Sequence, residues 1–175
     1  MKIILSILVA GCAMVACTPS EKSADPATSE PASAVQLPFT ASYSSQFTQD
    51  VSDQDLLTVL NSYKHWETGN MTALRSTLAD SISFESWDGF IHNGTADELI
   101  KRWSSSRDSL SSVKITMVAW IKAHSTDKNA DFITVWYTEI DTYKDGKIDS
   151  ARWSDVNMVA NGKIAYYSQY KQEAK

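Results

Sequence analysis

Acidic residues next to aromatic ones are the first candidates for chemistry in this sequence. The segment SFESWDG, residues 83–89, places Glu85 and Asp88 beside Trp87. Two such carboxyl groups could transfer protons at the mouth of a pocket. However, Glu85 follows the apolar Phe84 in an alternating pattern, and Asp88 precedes a glycine as in many turns. We therefore expect Glu85 to lie at the edge of a strand and Asp88 to lie in a turn. Asp88 stays a candidate for catalysis.

A second candidate acid lies in the segment ARWSDVNMV near the C-terminus. In a strand, alternation would place Ala151, Trp153, Asp155 and Asn157 on one face. If that face is buried, Asp155 becomes an acid in an apolar setting, which raises its pKa and makes it a hydrogen-bond donor or a general acid. The alternative is a solvent-facing acid on the outer side of the sheet.

The remaining residues exclude several classes of chemistry. The three histidines do not have the spacing of metal ligands, and both cysteines precede residue 18, so we predict no metal site and no cofactor. His92 precedes an Asn-Gly turn and is a further catalytic candidate. The net charge is −5 and no basic stripe is present, which argues against a nucleic-acid partner.

The N-terminus has the features of an export signal. A lysine and a short apolar run precede Cys17, and the run is too short to span a bilayer, which takes about 20 residues. The segment MVAC resembles a bacterial lipobox, as does VAGC, which ends at Cys12. We predict a signal peptide at 1–16 and lipidation of Cys17, with Cys12 as the alternative site. A secreted, soluble periplasmic form without lipid is the other possibility.

The segment 17–42 is predicted to be a disordered tether behind the lipidated cysteine. It contains all four prolines and is otherwise rich in serine, alanine and threonine, so it cannot bury a core. Position 18 is threonine, whereas aspartate there favours retention in the inner membrane. We therefore expect an outer-membrane lipoprotein whose folded part, residues 43–175, faces the periplasm.

Three helices are predicted in the first half of the folded part. SDQDLLTVLNSYKHWETGN begins with Ser52 as N-cap and ends at Gly69. NMTALRSTL is a short second helix. GTADELIKRW begins with Thr95 and Glu98 in the pattern of a capping box.

Strands dominate the second half. SISFES alternates in polarity, and four longer segments, 113–124, 131–143, 148–160 and 164–171, are rich in β-branched and aromatic residues. The Asp145-Gly146 and Asn161-Gly162 pairs predict tight hairpins, because both central residues of such turns take positive φ. Helices followed by an antiparallel sheet indicate an α+β fold.

The order of these elements resembles the NTF2-like superfamily, which includes SnoaL-like and ketosteroid isomerase-like domains. The resemblance rests on YKHWETGNMTALRSTLADSISFES, HNGTADELIKRW and NGKIAYYSQY, and it covers nearly the whole folded part. It implies a cone in which a strongly curved, mainly antiparallel sheet wraps the first helix. It also implies a homodimer formed through the outer face of the sheet.

The resemblance allows a comparison with the ketosteroid isomerases. Their cone holds a basic aspartate, and a tyrosine and a protonated aspartate that stabilise an oxyanion. Matching the motifs puts the base at Ser86 and the tyrosine at Ser62, with Tyr63 adjacent, and matches the second aspartate to Asp155. Serine cannot take a proton from carbon, so this isomerisation is not expected.

These observations favour a binding domain over an enzyme. We expect the cone to bind a small apolar ligand or a protein partner. The predicted lining is largely aromatic: Tyr63, Trp66, Trp87, Trp103, Trp136, Trp153 and Tyr167, with Asp155 and Gln169 as polar groups. The alternative is an isomerase, cyclase or hydrolase that uses Asp155 as acid or base.

Overall fold

The computed structural model describes residues 36–173, and the predicted signal peptide and lipidation site lie outside them. A compact unit spans Ala41–Lys175, and residues 36–40 of the preceding unit form no helix or strand. The helices are α1 (Asp53–Thr68), α2 (Met71–Thr77) and α3 (Ala96–Arg107). The strands are β1 (Phe47–Thr48), β2 (Leu78–Glu85), β3 (Ile91–Thr95), β4 (Leu110–Ser125), β5 (Ala130–Tyr143), β6 (Ile148–Ala160) and β7 (Lys163–Glu173).

The helix boundaries are where the capping residues predicted them. The side chain of Ser52 accepts a hydrogen bond from the backbone N–H of Asp55, and Gly69 ends α1 in the left-handed conformation with φ 71°. Thr95 and Glu98 form a complete capping box at the start of α3. Local side-chain hydrogen bonds therefore set where α1 and α3 begin.

One sheet of seven strands has the order β1-β4-β5-β6-β7-β2-β3. All neighbouring strands are antiparallel except β2 and β7, which are parallel. The two short strands β1 and β3 and the parallel pairing were not predicted. Strand β1 and the parallel pair join distant segments, which alternation within one segment does not encode, whereas β3 pairs with the preceding strand β2.

The two predicted hairpin turns differ in geometry. At Asn161-Gly162 both residues have positive φ, 52° and 73°, as predicted. At Asp145-Gly146 only the glycine does, with φ 88°. There the side chain of Asp145 accepts a hydrogen bond from the N–H of Lys147, which stabilises the turn in another way.

The core lies between the helices and the inner face of the sheet. On β5 the side chains of Ile133, Val135 and Tyr137 alternate inward and are buried, and Val59 of α1 packs into the same cluster. The sheet is curved, and the three helices and the seven strands form the predicted α+β cone. Within residues 36–173, no helix is both long and apolar enough to cross a membrane.

Candidate functional site

A cavity of about 300 Å³ opens between the helices and the inner face of the sheet. Seven of the nine side chains predicted to line the cone contribute to its wall: Tyr63, Trp66, Trp87, Trp103, Trp153, Tyr167 and Gln169. Trp87 is half exposed and packs edge-on against Trp153, with ring centres 6.4 Å apart. The wall therefore contains many aromatic side chains.

Asp155 lies fully buried behind this wall. Its Oδ2 accepts hydrogen bonds from the hydroxyls of Tyr63, Tyr137 and Tyr167, at 3.0, 2.9 and 2.7 Å. The tyrosines come from α1, β5 and β7, so the carboxyl group on β6 ties four elements together. Among the described residues, its Oδ1 has no hydrogen-bond partner.

Two opposing effects set the acidity of Asp155. Burial raises its pKa to about 7, while the hydrogen bonds that it accepts from Tyr167, Tyr137 and Tyr63 act to lower it. Burial also raises the pKa of each of the three tyrosines, and the carboxyl group of Asp155 raises it further, so their hydroxyls stay protonated and donate.

Two amides extend the network toward the cavity. The Nδ2 of Asn157 donates to the hydroxyl of Tyr63 and to the carbonyl of Ile133, both at 3.2 Å. The Nε2 of Gln169 donates to the hydroxyl of Tyr167 at 2.6 Å. Asn157 and Gln169 both line the cavity, so the network ends at its wall.

Three further acids line the cavity, and sequence analysis missed them. Glu139 and Asp141 follow Tyr137 on the inner face of β5, and Asp149 of β6 lies opposite Asp141. Burial, and after it the nearby Asp141, raise the pKa of Glu139 to about 8. The alternation of Val135, Tyr137, Glu139 and Asp141 was the signal that could have identified them.

Several predicted positions need correction. Trp136 does not line the cavity, because its neighbours on β5, Val135 and Tyr137, take the inner face; it is 39 % exposed on the outer face. Asp155 faces the core but is not part of the cavity wall, because the tyrosines cover it.

The other candidate acids and bases are placed as follows. His92 lies on β3 outside the cavity wall, with its Nε2 3.0 Å from the carbonyl oxygen of Thr95. Asp88 does line the cavity, but its carboxylate accepts from the N–H of Phe90 at 3.1 Å, which lowers its pKa and fits the predicted turn. Glu85 is exposed and does not line the cavity.

The positions matched to the ketosteroid isomerase residues lie near the cavity. Ser86, the position matched to the isomerase base, and Ser62 both line the cavity, and the hydroxyl of Ser62 donates to the carbonyl of Val59 on its own helix. Tyr63 thus takes the position predicted for the tyrosine, one residue later. Among residues 36–173, no group of three or more His, Cys, Asp or Glu side chains could hold a metal ion.

Solved structures share this architecture at low sequence identity. An NTF2-like protein of unknown function from Burkholderia pseudomallei is 17 % identical, with a TM-score of 0.55 over 68 % of this chain and 91 % of that one. An LEH-like epoxide hydrolase from M. tuberculosis is 11 % identical, with a TM-score of 0.57 over 69 % and 84 %.

A third structure was solved with a small molecule. It is a protein of ketosteroid isomerase-like fold from Catenulispora acidiphila in complex with trimethylamine, 13 % identical, with a TM-score of 0.53 over 65 % of this chain and 83 % of that one. No sequence-family model matches the chain, and no curated protein matches it. The likeness therefore concerns the fold alone, and the fold of this chain is the NTF2-like fold.

Proposed function

We propose that the cone of this domain binds a small, largely apolar molecule. The observation that carries the proposal is the cavity itself, which stays open at about 300 Å³ although large aromatic side chains line it. Concave, mostly apolar sites with a few convergent polar groups are the usual form of small-molecule pockets. Here the polar groups are Asn157, Gln169 and the acids of β5 and β6.

The network of Asp155 supports a preformed site. Three tyrosine rings from different elements are fixed by one carboxyl group, and Tyr63 also packs edge-on against Tyr137 with ring centres 5.0 Å apart. A wall that is already ordered loses little conformational entropy when a ligand binds. The structure from C. acidiphila with trimethylamine lends further support, because it is a small-molecule complex on the same fold.

A matched pair of variants tests the proposal. Ala151 is buried and lines the cavity, whereas Ala119 is exposed on β4 and does not line it. We expect the full chain to bind cyclohexanol in isothermal titration calorimetry, because a six-membered apolar ring suits this wall. Ala151→Met should weaken that binding at least tenfold by filling the cavity, and Ala119→Met should leave it unchanged. Equal binding by both variants would place the ligand elsewhere.

The alternative function is an enzyme that uses Asp155 as acid or base. One observation favours it: the pKa of about 7 would let Asp155 exchange a proton near neutral pH. The M. tuberculosis epoxide hydrolase is an enzyme on this fold, but a shared fold does not carry a reaction. Against the alternative, a bound molecule would meet tyrosine hydroxyls before the carboxyl group. If the protein is such an enzyme, native mass spectrometry would detect a converted ligand, and Asp155→Asn would stop the conversion but not the binding.

We also propose that the domain is held at the outer membrane, facing the periplasm, by lipid on Cys17. The support is the lipobox pattern, the proline-rich segment that follows it and the threonine at position 18. Several acyl chains on one cysteine would anchor firmly, whereas a single chain binds only weakly. A protein partner in the periplasm, rather than a small molecule, remains the second kind of occupant that this proposal allows.

A further inference from the structure

We infer that the ligand of the cone is an apolar molecule with a hydroxyl group, which donates a hydrogen bond to the Oε1 of Gln169. This inference rests on the proposed function, because it specifies the chemical class of the molecule in the same cavity. It is carried by the direction of the hydrogen bonds around Asp155, which leaves acceptors rather than donors at this part of the cavity wall.

The hydrogen bonds around Asp155 all have the same direction. An ionised carboxylate accepts hydrogen bonds and donates none, and a tyrosine hydroxyl has a single hydrogen to donate. The hydroxyls of Tyr63, Tyr137 and Tyr167 donate that hydrogen to the Oδ2 of Asp155. None of the three hydroxyls therefore has a hydrogen left for a molecule in the cavity, and their oxygens can only accept.

The amide of Gln169 is oriented by Tyr167. Because the hydroxyl oxygen of Tyr167 can only accept, the amide must present its nitrogen, and the Nε2 of Gln169 donates to that oxygen at 2.6 Å. A hydrogen bond from Gln169 also acts to lower the pKa of Asp155, as a donor does. The N–H groups of Gln169 thus face the network. Its carbonyl oxygen, Oε1, takes part in neither bond and is left for the cavity that Gln169 lines.

Two buried neighbours have the same polarity. The Nδ2 of Asn157 donates to the hydroxyl of Tyr63 and to the carbonyl of Ile133, which uses both of its hydrogens. The hydroxyl of Ser62 donates its hydrogen to the carbonyl of Val59 at 2.7 Å. Asn157 and Ser62 both line the cavity. Each therefore contributes an oxygen that can accept and no hydrogen to donate.

Three other potential donors of the wall are occupied or covered. The Nε1 of Trp66 donates to the Oε1 of Glu139 at 3.4 Å. The hydrogen bond between Glu139 and Asp141 raises the pKa of Glu139 and acts to lower that of Asp141, so Glu139 carries the proton and donates it to Asp141. The Nε1 of Trp153 has no partner among the described residues, but it is buried and offers no hydrogen to the cavity.

An apolar alcohol matches this wall better than a ketone or an ether. Phe84 and Trp103 line the cavity and pack against the ring of Tyr167, with ring centres 5.3 and 6.0 Å from it, so aromatic surface lies beside Gln169. The apolar part of the ligand would contact these rings while its hydroxyl reaches Oε1. A site that presents a hydrogen-bond acceptor discriminates against a molecule of the same shape that has no hydrogen to donate.

Two probes that differ in one hydrogen-bond donor test the inference on the full chain. Cyclohexanol can donate and accept, whereas cyclohexanone has a six-membered ring of the same kind and an oxygen that only accepts. Calorimetric titration is carried out at pH 8, where Asp155, with its pKa of about 7, is largely ionised. The alcohol should bind at least threefold more tightly than the ketone, because only the alcohol can donate to Gln169.

Two variants identify the contact. Gln169→Met keeps the length of the side chain and should abolish the preference for the alcohol, because no acceptor oxygen remains. Tyr167→Phe removes the hydroxyl that orients Gln169, so the amide can turn its N–H groups toward the cavity and the preference should again be lost. Gln172→Met and Tyr170→Phe make the same changes at exposed positions of β7 and should keep the wild-type preference.

The outcomes separate this inference from the proposed function. If wild-type protein binds both probes but prefers the alcohol by less than threefold, or if Gln169→Met binds both and keeps the full preference, the inference is wrong and the binding function stands. If Gln169→Met binds neither probe, Tyr167→Phe decides instead: a lost preference supports the inference and a full preference overturns it. If wild-type protein binds neither probe, both the function and the inference are overturned.

Discussion

Asp155 shows how one buried group can serve several elements. Its carboxyl group accepts hydrogen bonds from three tyrosine hydroxyls and is not exposed to solvent. Removing a charged group from water costs several kcal/mol unless hydrogen bonds offset the cost. The tyrosines offset it only partly, since the pKa of Asp155 still rises to about 7. We therefore regard Asp155 as the residue that positions the aromatic wall.

Asp155 should make the protein less stable as the pH rises. Its pKa is raised from 3.8 to about 7, so the folded state holds a proton that the unfolded state has lost between these values. The contribution to stability is complete below pH 4 and is lost as the pH rises through 7. It amounts to about 4 kcal/mol at about 1.4 kcal/mol per pKa unit. Urea unfolding at pH 5 and pH 8 should show about 3 kcal/mol of this loss, because about two of the three pKa units lie in that interval.

Asp155→Asn should flatten this pH profile, because the amide does not titrate. Part of the fall should remain, since the pKa of Glu139 is raised in the same direction, to about 8. The exposed Asp145→Asn is the matched control and should keep the wild-type profile. If Asp155→Asn retained the whole difference in stability between pH 5 and pH 8, the buried acid would not be its source.

At the scale of elements, Arg107 connects the ends of two helices with the sheet. It ends α3, and its guanidinium donates to the carbonyls of Trp66 and Glu67 in the last turn of α1, at 3.0 and 3.1 Å. It also donates to the carbonyl of Leu110 at the start of β4, at 3.4 Å. The carbonyl of Trp66 also accepts from the N–H of Gly69 at 3.0 Å, and a cation at the C-terminal end of α1 suits the helix dipole.

Arg107→Met should therefore lower the free energy of unfolding by about 1–3 kcal/mol, because backbone oxygens lose charged donors. It should also loosen Trp66, which lines the cavity, and so weaken binding of cyclohexanol. Urea unfolding and calorimetry measure the two effects. Arg152→Met is the matched control on the exposed outer face and should change stability by less than about 0.5 kcal/mol. Equal stability of the two variants would argue against this role of Arg107.

At the scale of the whole molecule, the outer face of the sheet carries exposed aromatic residues. Trp136 of β5 and Tyr170 of β7 flank Ser154 in one cross-strand row and are 39 % and 62 % exposed. Ile121 of β4 is 46 % exposed close by. We propose that two copies pair through this face, as the resemblance to the NTF2-like superfamily implied, since exposed apolar patches often mark interfaces.

Trp136→Glu should convert such a dimer into monomers, because the charge would be buried without a partner. Sedimentation velocity of the full chain measures the change. Leu57→Glu on α1, where the leucine is 48 % exposed, is the control and should leave the dimer intact. A monomeric wild-type protein, or a dimeric Trp136→Glu variant, would contradict pairing through this face.

The membrane anchor is tested at the two cysteines. Cys17→Ser should abolish lipid modification and release the protein from the outer membrane, because the acylated side chain is gone. Cys12→Ser should retain both the lipid and the membrane location. Intact-mass measurement on fractionated bacterial cells would detect the lipid. The reverse result would assign the lipid to Cys12. A wild-type protein without lipid would instead support the soluble periplasmic form.

The sequence by itself determined the features that depend on neighbouring residues. Ser52, Gly69, Thr95 and Glu98 predicted the limits of α1 and the start of α3, and alternation along β6 put Asp155 on one face with Trp153 and Asn157. These features are local, because caps, turns and the two-residue period of strands act over a few residues. They were sufficient to predict an α+β fold, and the resemblance to the NTF2-like superfamily added the cone.

Only the tertiary structure decided which side chains share the site. The three tyrosines around Asp155 are separated from it by 92, 18 and 12 residues, and no local pattern links them. The same holds for the acids of β5 and β6 and for Lys171 between Trp87 and Trp153. Trp136 was misplaced because the inward or outward phase of β5 depends on which face the helices cover. Burial, and the pKa values that follow from it, arise only when distant elements pack together.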